Sequence, residues 1–141
     1  MIDVKKDVKR VHCPTEQQIE SLKKNPYVLF FGNFIGPPSS VIHRRNGEIV
    51  YDKNLKWVVD FDFYIRSLAV NNFFIFINKP LINNISGDLH NVTLHCENVK
   101  TVEIKEYLYL FNKISKNQDK VLLDKAYIVF FMNLFAKHKM L

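Results

Sequence analysis

The sequence predicts an α/β domain, and three observations favour this class. Helical and strand-like patterns alternate along the chain, in the order helix, small strands, helix, strand, helix, helix. Only four Gly and five Pro interrupt the 141 residues, so we expect a few fairly long elements. About 48% of the residues are hydrophobic, including twelve Phe and six Tyr, which is enough to bury a core.

The first element is a predicted helix over residues 12–24. Thr15 is a suitable N-cap, and Gln18 stands three residues later as its capping-box partner. Pro26 ends this helix, because the residue before a proline is pushed out of the helical region. The unbroken apolar run 27–31 is a strand or a buried helix, and periodicity does not choose between them.

Glycines and prolines then predict a loop over residues 32–38. Residues 40–44 have the pattern of a short strand, and Asn46-Gly47 is a strong two-residue hairpin turn into a second strand over 48–51.

A second helix is predicted over residues 60–70. Asp62 and Arg66 are four residues apart on it, so they can pair along its surface. Its apolar face consists of Phe61, Ile65 and Leu68.

Residues 73–77 have the best strand pattern in the chain, being aromatic and β-branched and followed by Pro80. Residues 81–93 are predicted as a loop or an edge strand. Two helices over 98–114 and 119–137, separated by a short polar stretch, complete the chain.

Composition excludes several classes of protein. No signal-peptide pattern precedes the charged opening, and the apolar tract 126–136 is too short to span a bilayer. Cys13 and Cys96 form no CxxC motif, so we expect two reduced thiols in a cytoplasmic protein rather than a disulfide. The net charge of +6 is typical of a solvated, lysine-rich surface. Specific nucleic-acid binding lacks a recognisable motif.

Three segments contain residues suited to chemistry. The Gly- and Pro-rich corner within 32–45, which includes Ser39 and Ser40, lets backbone approach a ligand, or is an ordinary tight loop. Asp60 has no partner at helical spacing. It is therefore a helix N-cap, a carboxylate favoured by the positive end of the helix dipole, or a general base beside Trp57, the only tryptophan.

The third segment, 88–95, contains two histidines. His90 and His95 are five residues apart, which suits a shared metal on neither a helix nor a strand. No nearby carboxylate cluster completes a site, so this is a weak metal motif by itself.

Together and in this order, these segments resemble family 2 glycosyltransferases of the GT-A fold. Residues 59–66 match the family phrase Glu-Asp-x-Asp-x-x-x-Arg at Asp60, Asp62 and Arg66. Lys79-Pro80-Leu81 is similar to the family's Pro-Leu phrase, and residues 90–93 fit its His-x-x-x-Ser/Thr element. The resemblance extends over about residues 15–114.

The resemblance implies a partial GT-A-like fold and inverting sugar transfer to an acceptor hydroxyl. Asp60 would be the catalytic base, taking the proton of that hydroxyl. The family implies an acceptor-binding role for Ser39, Ser40, Trp57, Asp62 and Arg66.

On the donor side, the resemblance implies a nucleotide sugar and a divalent cation, Mn or Mg, with His90 facing the cation or diphosphate. Two departures matter. Val59 stands where the family has an acidic residue, and Asp60-Phe61-Asp62, the only Asp-x-Asp, belongs to the base phrase. We therefore expect residues 1–114 to be the C-terminal part of a catalytic domain. Residues 115–141 would be a helical extension, and a separate N-terminal half would be a partner.

A chain of this kind is expected to bind no cation or donor alone and to be inactive when isolated. Its parent enzyme would act on a glycan or lipid-linked acceptor in the cytoplasm, peripheral to the inner face of the membrane. Two alternatives stay open: a basic nucleic-acid binder, and a non-catalytic interaction module. The module would use two aromatic stripes on the C-terminal helices: Tyr107, Leu110 and Phe111, then Tyr127, Phe130, Phe131 and Leu134.

Overall fold

The computed structural model describes residues 2–5, 8–44, 49–85, 96, 99–115 and 120–137. Within them, the α-helices are α1 (Glu16–Lys24), α2 (Val59–Val70), α3 (Lys100–Ser115) and α4 (Lys120–Lys137). Two 3₁₀ helices, Pro26–Phe31 and Pro38–Ser40, lie between α1 and α2. The described strands are β1 (Ile2–Lys5), β2 (Val8–Val11) and β3 (Asn83–Ile85).

The three strands form one small sheet in the order β2-β1-β3. β1 pairs antiparallel with β2, with Ile2 opposite Val11, and parallel with β3, with Ile2 opposite Asn83. β1 and β2 were not predicted from the sequence. β3 falls within the stretch 81–93, where a loop or an edge strand was expected.

The core is built by helices, so the predicted α/β class is wrong, as is the partial GT-A-like fold. Its most buried apolar side chains, each at most 1% exposed, are those of Leu29, Val58, Ile65 and Leu110. Three of these residues lie in helices, and Val58 immediately precedes α2. The predicted strand over 73–77 forms no strand. Its composition is strand-like, but a strand also needs a partner edge, and none pairs with it among the described residues.

The apolar run that could be a strand or a buried helix is the 3₁₀ helix Pro26–Phe31. Asn25 caps it, with its Oδ1 accepting the Tyr27 N–H at 2.9 Å, and Pro26 occupies the first turn. Leu29 and Phe30 are buried, and this 3₁₀ helix packs against α1, α2 and α4. It is therefore the centre of the helical core.

The four predicted helices are present, although α1 begins at Glu16, four residues after the predicted start. In α1, Thr15 and Gln18 form the expected capping box, and the helix ends before Asn25. α2, α3 and α4 begin and end within two residues of the predicted limits.

The prediction of a strand over 40–44 is wrong, since Pro38–Ser40 is a 3₁₀ helix and 41–44 is irregular. Residues 49–51 are irregular too, and the Asn46-Gly47 turn lies outside the described residues.

The aromatic stripes of α3 and α4 line the core. The Tyr107 and Phe130 ring centroids are 4.0 Å apart, and those of Phe111 and Tyr127 are 4.3 Å apart. These side chains are buried or pack against the buried cluster, so they are no exposed docking surface in this structure. Among the helices that the structure describes, none is both long and apolar enough to cross a bilayer.

Candidate functional site

Asp60 lies in the first turn of α2, half-buried, and reaches toward the loop that follows the 3₁₀ helix Pro26–Phe31. Its Oδ2 accepts a hydrogen bond from Nδ2 of Asn33 at 3.1 Å. Its Oδ1 accepts the N–H of Phe61 at 3.0 Å. The start of α2 and the glycine-rich corner are therefore joined at this carboxylate.

Asn33 also holds the corner itself in shape. Its Oδ1 accepts the Gly36 N–H at 3.0 Å, and its Nδ2 donates to the Gly36 carbonyl at 3.2 Å. The Tyr64 hydroxyl donates to the same carbonyl at 3.3 Å. Gly36 has a φ of +101°, and a Cβ there would lie 3.0 Å from Oγ of Ser40. Only glycine fits this turn without strain.

The surroundings of Asp60 shift the pKa of its carboxyl group upward. Burial raises the pKa of Asp60, although the hydrogen bonds from the Phe61 N–H and from Asn33 lower it. Burial, followed by the nearby charge of Asp60, raises the pKa of the Tyr64 hydroxyl. Among the described residues, no basic side chain forms an ion pair with Asp60. Asp60 is therefore a desolvated carboxylate with a strengthened affinity for a proton.

The N-cap position of α2 is held by Val58, so the explanation of Asp60 as the N-cap is wrong, and Asp60 lies instead in the first turn, where the helix dipole favours a carboxylate. The N-cap residue Val58 makes no side-chain cap. Instead Oε2 of Glu106, from α3, accepts the N–H groups of Trp57 at 2.8 Å and Val58 at 3.1 Å. The Lys56 N–H donates to Oε1 of Glu106 at 3.0 Å. One carboxylate thus satisfies three consecutive amides.

Asp62 and Arg66 form the predicted pair, with Nε of Arg66 donating to Oδ2 of Asp62 at 2.9 Å. The pair is not on the surface, because Asp62 is 0% exposed. Nζ of Lys113 lies 2.8 Å from Oδ1 of Asp62 and 2.7 Å from Oδ2 of Asp52. The contact at Oδ1 is an ion pair whose angles depart from those of a hydrogen bond. The Asp62 carboxylate is therefore occupied by two cations.

The other predicted site residues have varied surroundings. Ser39 is exposed, while Oγ of Ser40 donates to the Pro37 carbonyl at 2.7 Å. Trp57 is half-buried and packs against the core. His90 lies outside the described residues, so its predicted role toward a cation has no geometry here.

A resident divalent cation finds no ligand set in the part of the chain that the structure describes. No group of three or more His, Cys, Asp or Glu side chains there could hold a metal ion. We therefore derive no catalytic step through a cation.

A cleft of about 790 Å³ lies beside the Asn33 loop. Its walls come from residues 11–15, from α1, and from the end of the 3₁₀ helix and the loop that follows it. Nε2 of His12 lies 2.9 Å from the carbonyl oxygen of Phe34, and both residues line the cleft. A smaller apolar cavity of about 150 Å³ lies between Phe61, Tyr107 and Phe130.

No protein-family model, curated protein or solved structure matches this chain. The resemblance to family 2 glycosyltransferases therefore rests on the residues quoted from the sequence.

The sequence patterns did not single out two residues of the site, Asn33 and Glu106. Asn33 had a signal, because an Asn three residues before a Gly is a common turn pattern. Glu106 had none, since its partners lie 48 to 50 residues away.

Proposed function

We propose that this chain supplies the acceptor side of an inverting sugar transfer, with Asp60 as the general base. The observation that carries the proposal is the hydrogen bond between Asn33 and Asp60. It joins the two segments on which the resemblance rests, the 32–45 corner and the 55–66 phrase. Half-burial of Asp60 adds support, because desolvation of a carboxylate increases its basicity.

In the proposed reaction, a carboxylate oxygen of Asp60 takes the proton of the acceptor hydroxyl. The acceptor oxygen forms a bond to the anomeric carbon of a nucleotide-activated sugar, from the face opposite the leaving group. The bond from that carbon to the diphosphate breaks, and the nucleoside diphosphate leaves with its electron pair. Asn33 orients the base through its Nδ2 donor, and Tyr64 holds the corner that carries Asn33.

The donor would be bound by a second polypeptide, together with the divalent cation that stabilises the leaving diphosphate. The reaction would take place in the cytoplasm, and a lipid-linked acceptor would bring it to the membrane surface. Val59 supplies no second carboxylate beside Asp60, so the base acts alone at this helix start.

The test is reconstitution with the polypeptide encoded immediately upstream, with transfer measured from a panel of labelled nucleotide sugars. We expect Asp60→Asn to lower transfer by a factor of about 10² or more, because the amide cannot accept the proton. Asp124→Asn is the matched control, since Asp124 is an exposed carboxylate on α4 and its substitution should leave transfer unchanged. Full activity of Asp60→Asn in an active complex would remove Asp60 from the mechanism.

The pH dependence of stability shows whether Asp60→Asn has lost only the base or has also lost its fold. Because burial raises the pKa of Asp60, the folded state binds this proton more tightly than the unfolded state. The ionised carboxylate therefore destabilises the fold at neutral pH, and this penalty disappears as the pH falls below the raised pKa. We expect Asp60→Asn to melt at the same temperature or a few degrees higher at pH 7, with the difference vanishing in acid. A lower melting temperature at pH 7 would contradict this.

A further inference from the structure

The described residues that line the cleft beside Asn33 include no Lys, Arg, Asp or Glu. The polar groups of the lining are amides, hydroxyls, a thiol and an imidazole. A phosphate-bearing ligand selects Arg, Lys or a cation in its site, so this cleft does not suit a nucleotide diphosphate.

The same lining combines hydrogen-bonding groups with an apolar platform. Gln17 and Ser21 present an amide and a hydroxyl from exposed positions on α1. Phe31 lines the cleft from the other wall and is 53% exposed, which is unusual for a phenylalanine. A sugar ring has an apolar face of C–H groups and an edge of hydroxyls, and it is the ligand class that needs both kinds of surface together.

The cleft is connected to Asp60 by a single side chain. Asn33 lines the cleft, and its Nδ2 donates to Oδ2 of Asp60. Asn33 therefore contacts both the cleft and the proposed base.

We infer that this cleft binds a neutral saccharide, the acceptor of the transfer, with Phe31 stacking on one ring and Gln17 and Ser21 bonding its hydroxyls. The inference rests on the proposed function and names its acceptor site. It assigns the stacking role to Phe31 instead of Trp57, whose ring packs against the core.

The test is an NMR titration of the whole ¹⁵N-labelled chain with three neutral trisaccharides: maltotriose, cellotriose and triacetylchitotriose. We expect shifts of the cleft amides with at least one of them. Phe31→Ala should weaken that binding by about tenfold, the usual effect of losing one aromatic stacking partner. Ile42→Ala is the control, since Ile42 is fully exposed and lies outside the cleft lining. Its affinity should be unchanged.

The inference would be overturned if the cleft amides did not shift with any trisaccharide up to its solubility limit, or if Phe31→Ala bound with equal affinity. Preferential binding of uridine diphosphate or of an unstructured neutral peptide in the same cleft would also overturn it. The reconstituted complex keeps the two proposals distinct. If Asp60→Asn abolishes transfer but Phe31→Ala leaves the acceptor KM unchanged, the cleft is wrong and the base stands. If saccharide binds and Asp60→Asn stays active, the base is wrong and the cleft stands.

Discussion

At the scale of single residues, Glu106 and Asp60 bind different amides around the start of α2. The first amides of a helix have no partner inside the helix and carry the positive end of its dipole. Glu106 satisfies the amides of Lys56, Trp57 and Val58. Those amides precede α2, and within the first turn of the helix Asp60 accepts the Phe61 N–H through its Oδ1 and the Asn33 side chain through its Oδ2.

Glu106→Ala should destabilise the fold by about 2 kcal/mol, because three amides lose a charged acceptor. Glu106→Gln should lose less than half as much, since its side-chain carbonyl still accepts. Urea unfolding followed by circular dichroism measures both. Glu20→Ala is the control, because the Glu20 carboxylate pairs with the exposed Lys23 in a surface contact. An unchanged midpoint in Glu106→Ala would show that water replaces the carboxylate without loss.

Local spacing made part of the site predictable. Thr15 with Gln18 and Asp62 with Arg66 were found because partners three or four residues apart meet on a helix. The bond between Asn33 and Asp60 spans 27 residues. The periodicity of helices and strands relates only residues that are close in sequence, so this hydrogen bond could not be predicted without the structure.

At the scale of elements, Lys113 connects α3 to α2 and to the segment before α2. Its Nζ lies between Asp62 on α2 and Asp52, and the Tyr109 hydroxyl also donates to Asp52 at 3.0 Å. The hydrogen bond from Lys113, with those from the Asn54 N–H and Tyr109, holds the pKa of Asp52 well below its usual range. The network holds the base-bearing helix against α3.

Lys113→Met should destabilise the fold by about 2 kcal/mol or more, because Asp62 stays buried with one cation fewer. In this variant the free energy of unfolding should also fall less steeply as the pH is lowered. The folded pKa of Asp52 is lowered, so its contribution is present above the unfolded carboxyl pKa of about 4 and is lost as the pH falls toward the folded value. Free energies of unfolding from pH 2 to 7 measure this. Lys105→Met, on an exposed position of α3, is the control and should keep the acid-sensitive slope.

At the scale of the whole molecule, helices could be predicted but the fold class could not. A helix satisfies its own backbone, so capping and periodicity suffice to place α1, α2, α3 and α4. A strand is defined by its neighbour. Residues 73–77 have a strand composition, but among the described residues no other strand pairs with them. β1 and β2, with weaker patterns, do meet one.

The unpartnered segment 73–77 leads to a prediction about association. Phe74 packs against the core, while Phe73 and Ile75 are 77% exposed and Ile77 is 57% exposed, so one face of an extended segment is apolar and open. Among the described residues, the N–H groups of 74–77 donate to no other backbone carbonyl. An antiparallel pair of two copies centred on Ile75 would place Phe73 opposite Ile77 and Lys79 opposite Asn71, with no like charges facing each other.

We therefore expect the chain to self-associate through residues 73–77 as its concentration rises. Association should strengthen with added salt, which screens the repulsion between copies of charge +6. Ile75→Lys should weaken it at least about tenfold, since two lysines would then face each other across the two-fold axis. Ile128→Lys introduces the same change on α4 at a residue that is 60% exposed, and it should leave association unchanged. Sedimentation velocity at several concentrations measures all three proteins. A monomeric parent chain throughout, or equal effects of the two lysines, would show that this segment does not pair with its own copy.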